Sequence, residues 1–313
     1  MSYGFRTLVP LVLASVLTAC GGVSVSTGGN NGATGGGGTT TAAIQHVVVV
    51  VLENQNYSDV VGSSAMPYWN SLASQNAMAT QFYANAHPSI GNYFELTTAQ
   101  NPTGNIDQWP LTFGGDNIAR ELTAQGKTWK VYAQSLPAQG YVGDDQYPYV
   151  KHHNPFAYFD EVINSATQKA NIVSTSQFAA DIGSGVLPTY SFVIPDDLHN
   201  GHDCPNGALS CPLSDRLSAA DNWLNANLST LLGNSALMAN TVVIVTFDES
   251  STDNTNGGGR VPVIFAGAKI KNGFQSSTMY QFPSVLRFSL QSVGVASYPG
   301  AAGSAPAMTE FLK

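Results

Sequence analysis

Two short acidic pairs are the first residues whose types could do chemistry. Glu53-Asn54 follows the run Val47-Val48-Val49-Val50-Val51-Leu52, and Asp248-Glu249 follows the apolar run 241–247. Carboxylate and carboxamide oxygens suit hard cations such as Mg, Ca or Mn, and carboxylates also accept Zn. Either pair alone reads better as a helix N-cap or a solvated turn. Two pairs behind two strongly apolar runs could converge on one cation. Ser89 lies in His87-Pro88-Ser89-Ile90-Gly91-Asn92-Tyr93, just before residues 93–98, a stretch able to begin a helix. A serine at a helix start would sit among unpaired backbone N–H groups at the positive end of the helix dipole, a natural seat for a phosphate. It also reads as a plain N-cap, and the two readings are compatible. The chain has six histidines. His87, His152, His153, His199 and His202 lie in polar stretches between apolar runs, where a histidine is suited to proton donation near neutral or mildly acid pH.

These residues need elements to hold them. The valine run is continuously β-branched and bounded by polar residues, the pattern of a strand buried on both faces. Residues 241–247 form a second such run, and 128–133, 189–194 and 261–266 are further expected strands. Between them the spacing predicts helices. Residues 117–124 end before Gly126, a C-terminal stop. Residues 217–232 carry Leu217, Trp223, Leu224, Leu228, Leu231 and Leu232 at helical spacing, and 282–293 form another helix. Strands alternating with helices indicate an α/β fold with a mostly parallel central sheet flanked by helices. In such sheets the ligand site lies beyond the carboxyl ends of the strands, where both acidic pairs fall. Long loops are expected at 101–115, 138–155 and 200–214. No internal repeat and no further domain boundary is visible.

Composition narrows the setting. Hydrophobic residues make up 43% of 313 and charged ones 10%, enough to bury a sizeable core. The formal net charge of -8 argues against nucleic acid as a partner, which would want a basic stripe. It leaves an anionic substrate open, because a bound cation inverts the local field. Arg6 and the short apolar run 7–16 precede Leu17-Thr18-Ala19-Cys20, which resembles a bacterial lipobox. That implies a signal peptide over 1–19, cleavage before Cys20, and lipid on its thiol anchoring the chain to the cell membrane. An ordinary secretory signal with an incidental cysteine is the alternative. Gly21, in place of Asp, favours the outer membrane over the inner one. Residues 20–42, rich in Gly, Ser and Thr, read as a flexible tether, leaving 43–313 as the folded domain. With export argued, Cys204 and Cys211 are expected to form a disulfide; two free thiols or a metal pair are the alternatives.

Five segments carry a family resemblance: HVVVVVLENQNYSDVVG from His46, HPSIGNYFELTT from His87, HNPFAYF from His153, PDDLHNGHD from Pro195 and NTVVIVTFDE from Asn240. In this order they resemble the bacterial phosphoesterases that include acid phosphatases and phospholipases C, a branch of the alkaline-phosphatase-like superfamily. The resemblance spans nearly the whole chain after the tether. It implies a divalent metal ion held by Glu53, Asn54, Asp248 and Glu249, with Ser89 as nucleophile also touching the metal. Asn92 inherits a role in holding phosphoryl oxygens. His153 and His202 match histidines near the phosphate, with Asp203 orienting one of them, and His87 and His199 are weaker candidates. The implied activity is hydrolysis of phosphate monoesters. A phospholipase C or phosphodiesterase and a non-catalytic surface lipoprotein are the alternatives. The chain departs from the family's pattern at Asp196, where Asn is frequent. It departs again at Tyr280-Gln281-Phe282-Pro283-Ser284, which lacks the histidine usual before that serine.

Overall fold

The computed structural model describes residues 44–313, which fall within one unit, Thr41–Lys313. The expected signal peptide, tether and lipidated Cys20 lie outside the described residues. Among the described residues no helix is long and apolar enough to cross a membrane.

Eight strands form one sheet: β1 (His46–Leu52), β2 (Ala77–Phe82), β3 (Trp129–Ala133), β4 (Ile172–Ser174), β5 (Tyr190–Ile194), β6 (Thr241–Phe247), β7 (Val263–Ala266) and β8 (Gln275–Tyr280). Their spatial order is β4-β3-β5-β1-β6-β7-β2-β8. Only β7 runs antiparallel to its neighbours, β6 and β2; every other pair is parallel. This is the mostly parallel sheet expected. β1 and β6 lie side by side in the middle and are buried along their length, apart from the half-buried His46 at the start of β1. That burial is why both read as uninterrupted apolar runs.

Three strands escaped the sequence pattern for local reasons. β4 has three residues. β8 is an edge strand of mostly exposed polar residues, QSSTMY. β2, AMATQF, lacks the β-branched density of a central strand. The expected helices are present, with shifted ends. Helix Ile118–Ala124 is capped by Asn117, whose side chain accepts from the Arg120 N–H at 3.1 Å. Helix Leu213–Gly233 begins four residues before its first patterned leucine, which shortens the third expected loop. Helix Ile90–Thr98 begins at Ile90 rather than Tyr93 and packs against helix Phe282–Ser292.

Candidate active site

Strand register builds the centre of the site. Leu52 pairs with Phe247 at the adjacent ends of β1 and β6, so Glu53 and Asp248 emerge together from neighbouring strands. Asn54 then leaves the strand with φ of 51°, a left-handed conformation that asparagine tolerates well. Its backbone N–H donates to Asp248 Oδ1 at 3.0 Å. The 196–203 loop hangs on the same strand end: the Glu53 N–H donates to the Asn200 carbonyl at 2.9 Å, and the Gln55 side chain donates to the Gly201 carbonyl at 2.7 Å.

Ser89 occupies the cap position of helix Ile90–Thr98, yet its hydroxyl caps nothing. Instead Ser89 Oγ donates to Glu53 Oε2 at 3.0 Å. The expectation of free N–H groups at this helix start is corrected. The Ile90 N–H donates to Asp107 Oδ1 at 3.1 Å, and those of Gly91 and Asn92 donate to the carbonyls of Pro88 and Ser89. One turn on, the Tyr93 hydroxyl donates to the other Glu53 oxygen, Oε1, at 2.5 Å. His153 Nε2 lies 3.2 Å from the same oxygen, and its Nδ1 lies 3.5 Å from Asp197 Oδ1.

The remaining candidates divide. His87 is drawn in: its Nδ1 is 3.1 Å from Glu249 Oε2, and its Nε2 is 3.1 Å from the Asp253 carbonyl. His202 Nδ1 lies 2.7 Å from Asp203 Oδ1. One ligand atom each from Asp197, His202 and Asp203 lie within 4.8 Å of one another, a further group able to hold a cation. His199 is tied instead to Asp196 at 2.5 Å and to Gln134. Asn92 is fully buried and occupied elsewhere. Its oxygen accepts from the Asn85 and Ala86 N–H groups, and its nitrogen donates to the Ala86 carbonyl and to Glu249. The structure thus makes Asn92 the shaper of the 85–87 turn and leaves it no free group for a phosphoryl oxygen. Cys204 and Cys211 are disulfide-bonded, with Cα atoms 5.8 Å apart, which closes the loop behind Asp203. Where the family's late histidine is missing, Gln281 donates to the carbonyls of Ala84 and Asn256.

The electrostatics call for a cation. Glu53, Asp248 and Glu249 are buried together, and among the described residues no Lys or Arg pairs with them. Burial first, then the charge of Asp248, pushes Glu53 well above the usual carboxylate range. Burial and Asp248 push Glu249 up to about 10. Burial also raises Asp248, and raises Asp197 to about 6. Asp248 Oδ2 is buried with no hydrogen-bond partner. Such orphaned oxygen costs free energy unless something meets it. A hard divalent cation fits a donor set of carboxylates, a carboxamide and a hydroxyl. Tyr93, Asp107 and Asp197 were not singled out from sequence. Tyr93 stands four residues after Ser89, on the same helix face. Asp197 follows β5 and so obeys the strand-end rule already applied to β1 and β6. Asp107 sits in a long loop with no comparable signal.

Residues 63–296 match the model of the Phosphoesterase family. The chain is 30% identical over 265 residues to a phosphatidylinositol-3-phosphatase of Mycobacterium tuberculosis, covering 83% of this chain and 80% of that protein. It is 30% identical to a probable acid phosphatase of Kluyveromyces lactis and 28% identical to an acid phosphatase of Aspergillus fumigatus. Those matches cover 64% and 75% of this chain, but only 46% and 52% of the fungal proteins, about half their length. Among solved structures, a protein in the alkaline phosphatase superfamily from Vibrio parahaemolyticus superposes with a TM-score of 0.60 at 13% identity, covering 82% of this chain and 67% of that one. The lipoteichoic acid synthase LtaP from Listeria monocytogenes superposes at 0.59 with 12% identity, covering 82% and 73%. These two establish an alkaline-phosphatase-like fold.

Proposed function

The chain belongs to the Phosphoesterase family and is a hydrolase of phosphoric esters, and from that premise we propose that it cleaves phosphate monoesters through Ser89, assisted by a divalent cation held between β1 and β6. The observation that carries this reading is the hydrogen bond from Ser89 to Glu53 beside the unpartnered Asp248 oxygen. Glu53, Asn54 and Asp248 would hold the cation, with Glu249 beside them. The bound ion would lower the pKa of the Ser89 hydroxyl and neutralise a phosphoryl oxygen.

Ser89 Oγ attacks phosphorus, and Glu53 Oε2, 3.0 Å away, stands ready to accept the serine proton. The bond from phosphorus to the leaving oxygen breaks, and His202, steadied by Asp203, gives that oxygen a proton. Water then attacks the phosphoserine, His202 takes up a proton from it, and the bond from phosphorus to Ser89 Oγ breaks as Glu53 Oε2 returns the serine proton, leaving inorganic phosphate as the product. Positioning and charge stabilisation supply most of the rate, as phosphoryl transfer requires. The names of the relatives, acid phosphatase and phosphatidylinositol-3-phosphatase, favour monoesters over the diesters of a phospholipase C. The lipobox-like residues ending at Cys20 support a location outside the cytoplasm on a lipid anchor, the outer membrane before the inner, within reach of soluble and lipid monoesters alike.

The test pairs Ser89→Ala with chelation. Turnover of nitrophenyl phosphate should vanish in the variant while its melting temperature stays near wild type. Chelator should abolish wild-type turnover, and added divalent metal should restore it. Wild-type turnover in Ser89→Ala would refute the nucleophile, and turnover indifferent to chelator would refute the cation. Faster cleavage of the bis-nitrophenyl diester than of the monoester would move the assignment to phosphodiesterase.

A further inference from the structure

The two oxygens of Glu53 face different partners. Oε2 accepts from Ser89 at 3.0 Å, with Asn54 Nδ2 at 3.5 Å, so it belongs to the nucleophile's side. Oε1 accepts from the Tyr93 hydroxyl at 2.5 Å and has His153 Nε2 at 3.2 Å, so it belongs to an aromatic wall. Ser89 and Tyr93 are one helical turn apart, which aims both hydroxyls at a single carboxylate. Tyr93 is itself fixed: its ring is fully buried, stacks on His153 at 5.1 Å and 22°, and meets the Phe192 ring of β5 edge-on at 6.1 Å.

We propose that Tyr93 is a positioning residue that holds Glu53 Oε1 out of the cation site, so that Glu53 offers one oxygen, Oε2, to the ion and to Ser89. The role rests on the cation reading above. Without the hydroxyl, Glu53 could rotate and Oε1 would lose its strongest donor, while the ring, its stack on His153 and its contact with Phe192 would remain. The same ring keeps His153 at Oε1, so one side chain sets the orientation of both a ligand and a histidine. Outer partners of this kind tune metal affinity by about 10- to 100-fold.

The experiment measures Mn2+ and Zn2+ binding by calorimetry to wild type, Tyr93→Phe, Phe192→Leu and Glu53→Gln, with melting temperatures taken without metal. Tyr93→Phe should bind about 10- to 100-fold more weakly at a nearly unchanged melting temperature. Its kcat should recover, at least in part, at saturating metal. Phe192→Leu should lower the melting temperature and leave affinity alone, separating ring packing from the hydroxyl. Fluorotyrosine at position 93 supplies a second reading that keeps the fold: its fluorine resonance should shift on metal addition in wild type and stay still in Glu53→Gln. Wild-type affinity in Tyr93→Phe, with affinity lost in Glu53→Gln, would overturn the positioning role and leave the cation reading intact. Wild-type affinity in Glu53→Gln would overturn the cation reading, and the positioning role with it.

Discussion

Burial separates His153 from His202. The His153 side chain is 3% exposed, and burial, followed by the neighbouring His152 and His202, pushes its pKa well below the ordinary value. It is held neutral and serves best as a fixed hydrogen-bonding wall. The His202 side chain is 45% exposed and carries an aspartate on Nδ1, leaving Nε2 for a leaving group. His202→Asn should therefore cost about 10²- to 10⁴-fold in kcat on alkyl phosphates. It should cost far less on nitrophenyl phosphate, whose leaving group needs little protonation. An equal loss on both substrates would remove His202 from the proton-donor role. At this scale the sequence was a good guide to residue type but a poor guide to partners. Asn92 and His199 have the right chemistry, yet one is spent on the 85–87 turn and the other on Asp196.

At the scale of elements, two features set the geometry: the β1–β6 register and the close approach of a glycine loop. The loop 250–259 runs against residues 84–86, with Gly258 N–H donating to the Ala84 carbonyl and Ala84 N–H donating to that of Gly259. Gly257 has φ of +113°, and a Cβ there would lie 2.0 Å from the Asn85 carbonyl oxygen. Only glycine permits that approach. Gly257→Ala should push the 85–87 segment away and loosen the His87 contacts with Glu249 and Asp253. The expected result is a drop of several degrees in melting temperature and at least a tenfold loss of kcat/KM. Unchanged values for both would mean that the loop plays no part in shaping the site. None of this was legible beforehand, because a run of Gly and Asn states freedom of the backbone and not the neighbour that uses it.

For the whole molecule, the cluster of buried acids ties stability to pH and to metal. Glu53, Asp248 and Glu249 all have folded-state pKa values above their unfolded ones. The folded state therefore binds more protons between the two values, and stability falls as pH rises through that window. For Glu249 the window runs from 4.5 to about 10. The metal-free protein should melt at a lower temperature at pH 8 than at pH 5, and a bound divalent cation should flatten or reverse the slope by favouring the ionised carboxylates. Thermal scans across pH, with chelator and with added metal, check this. A metal-free melting temperature that climbs over the same range would contradict the buried-acid account.

From its sequence alone, this protein's central strands, its α/β class, its family and the acidic pairs at two strand ends could be determined. Those features are written in short stretches of neighbouring residues: a β-branched run buried on both faces needs no partner to be recognised. Tertiary structure alone decided which oxygens meet. The pairing of Leu52 with Phe247 spans nearly 200 residues of chain. Tyr93 and Asp197 become part of the site only because one helix and one loop dock onto the end of β1. Burial, which raises the carboxylates and silences His153, is a property of the packed molecule and of no local segment. The serine, the acids and the histidines could be found by type, but their division into ligand, nucleophile, wall and proton donor followed from the distances between them.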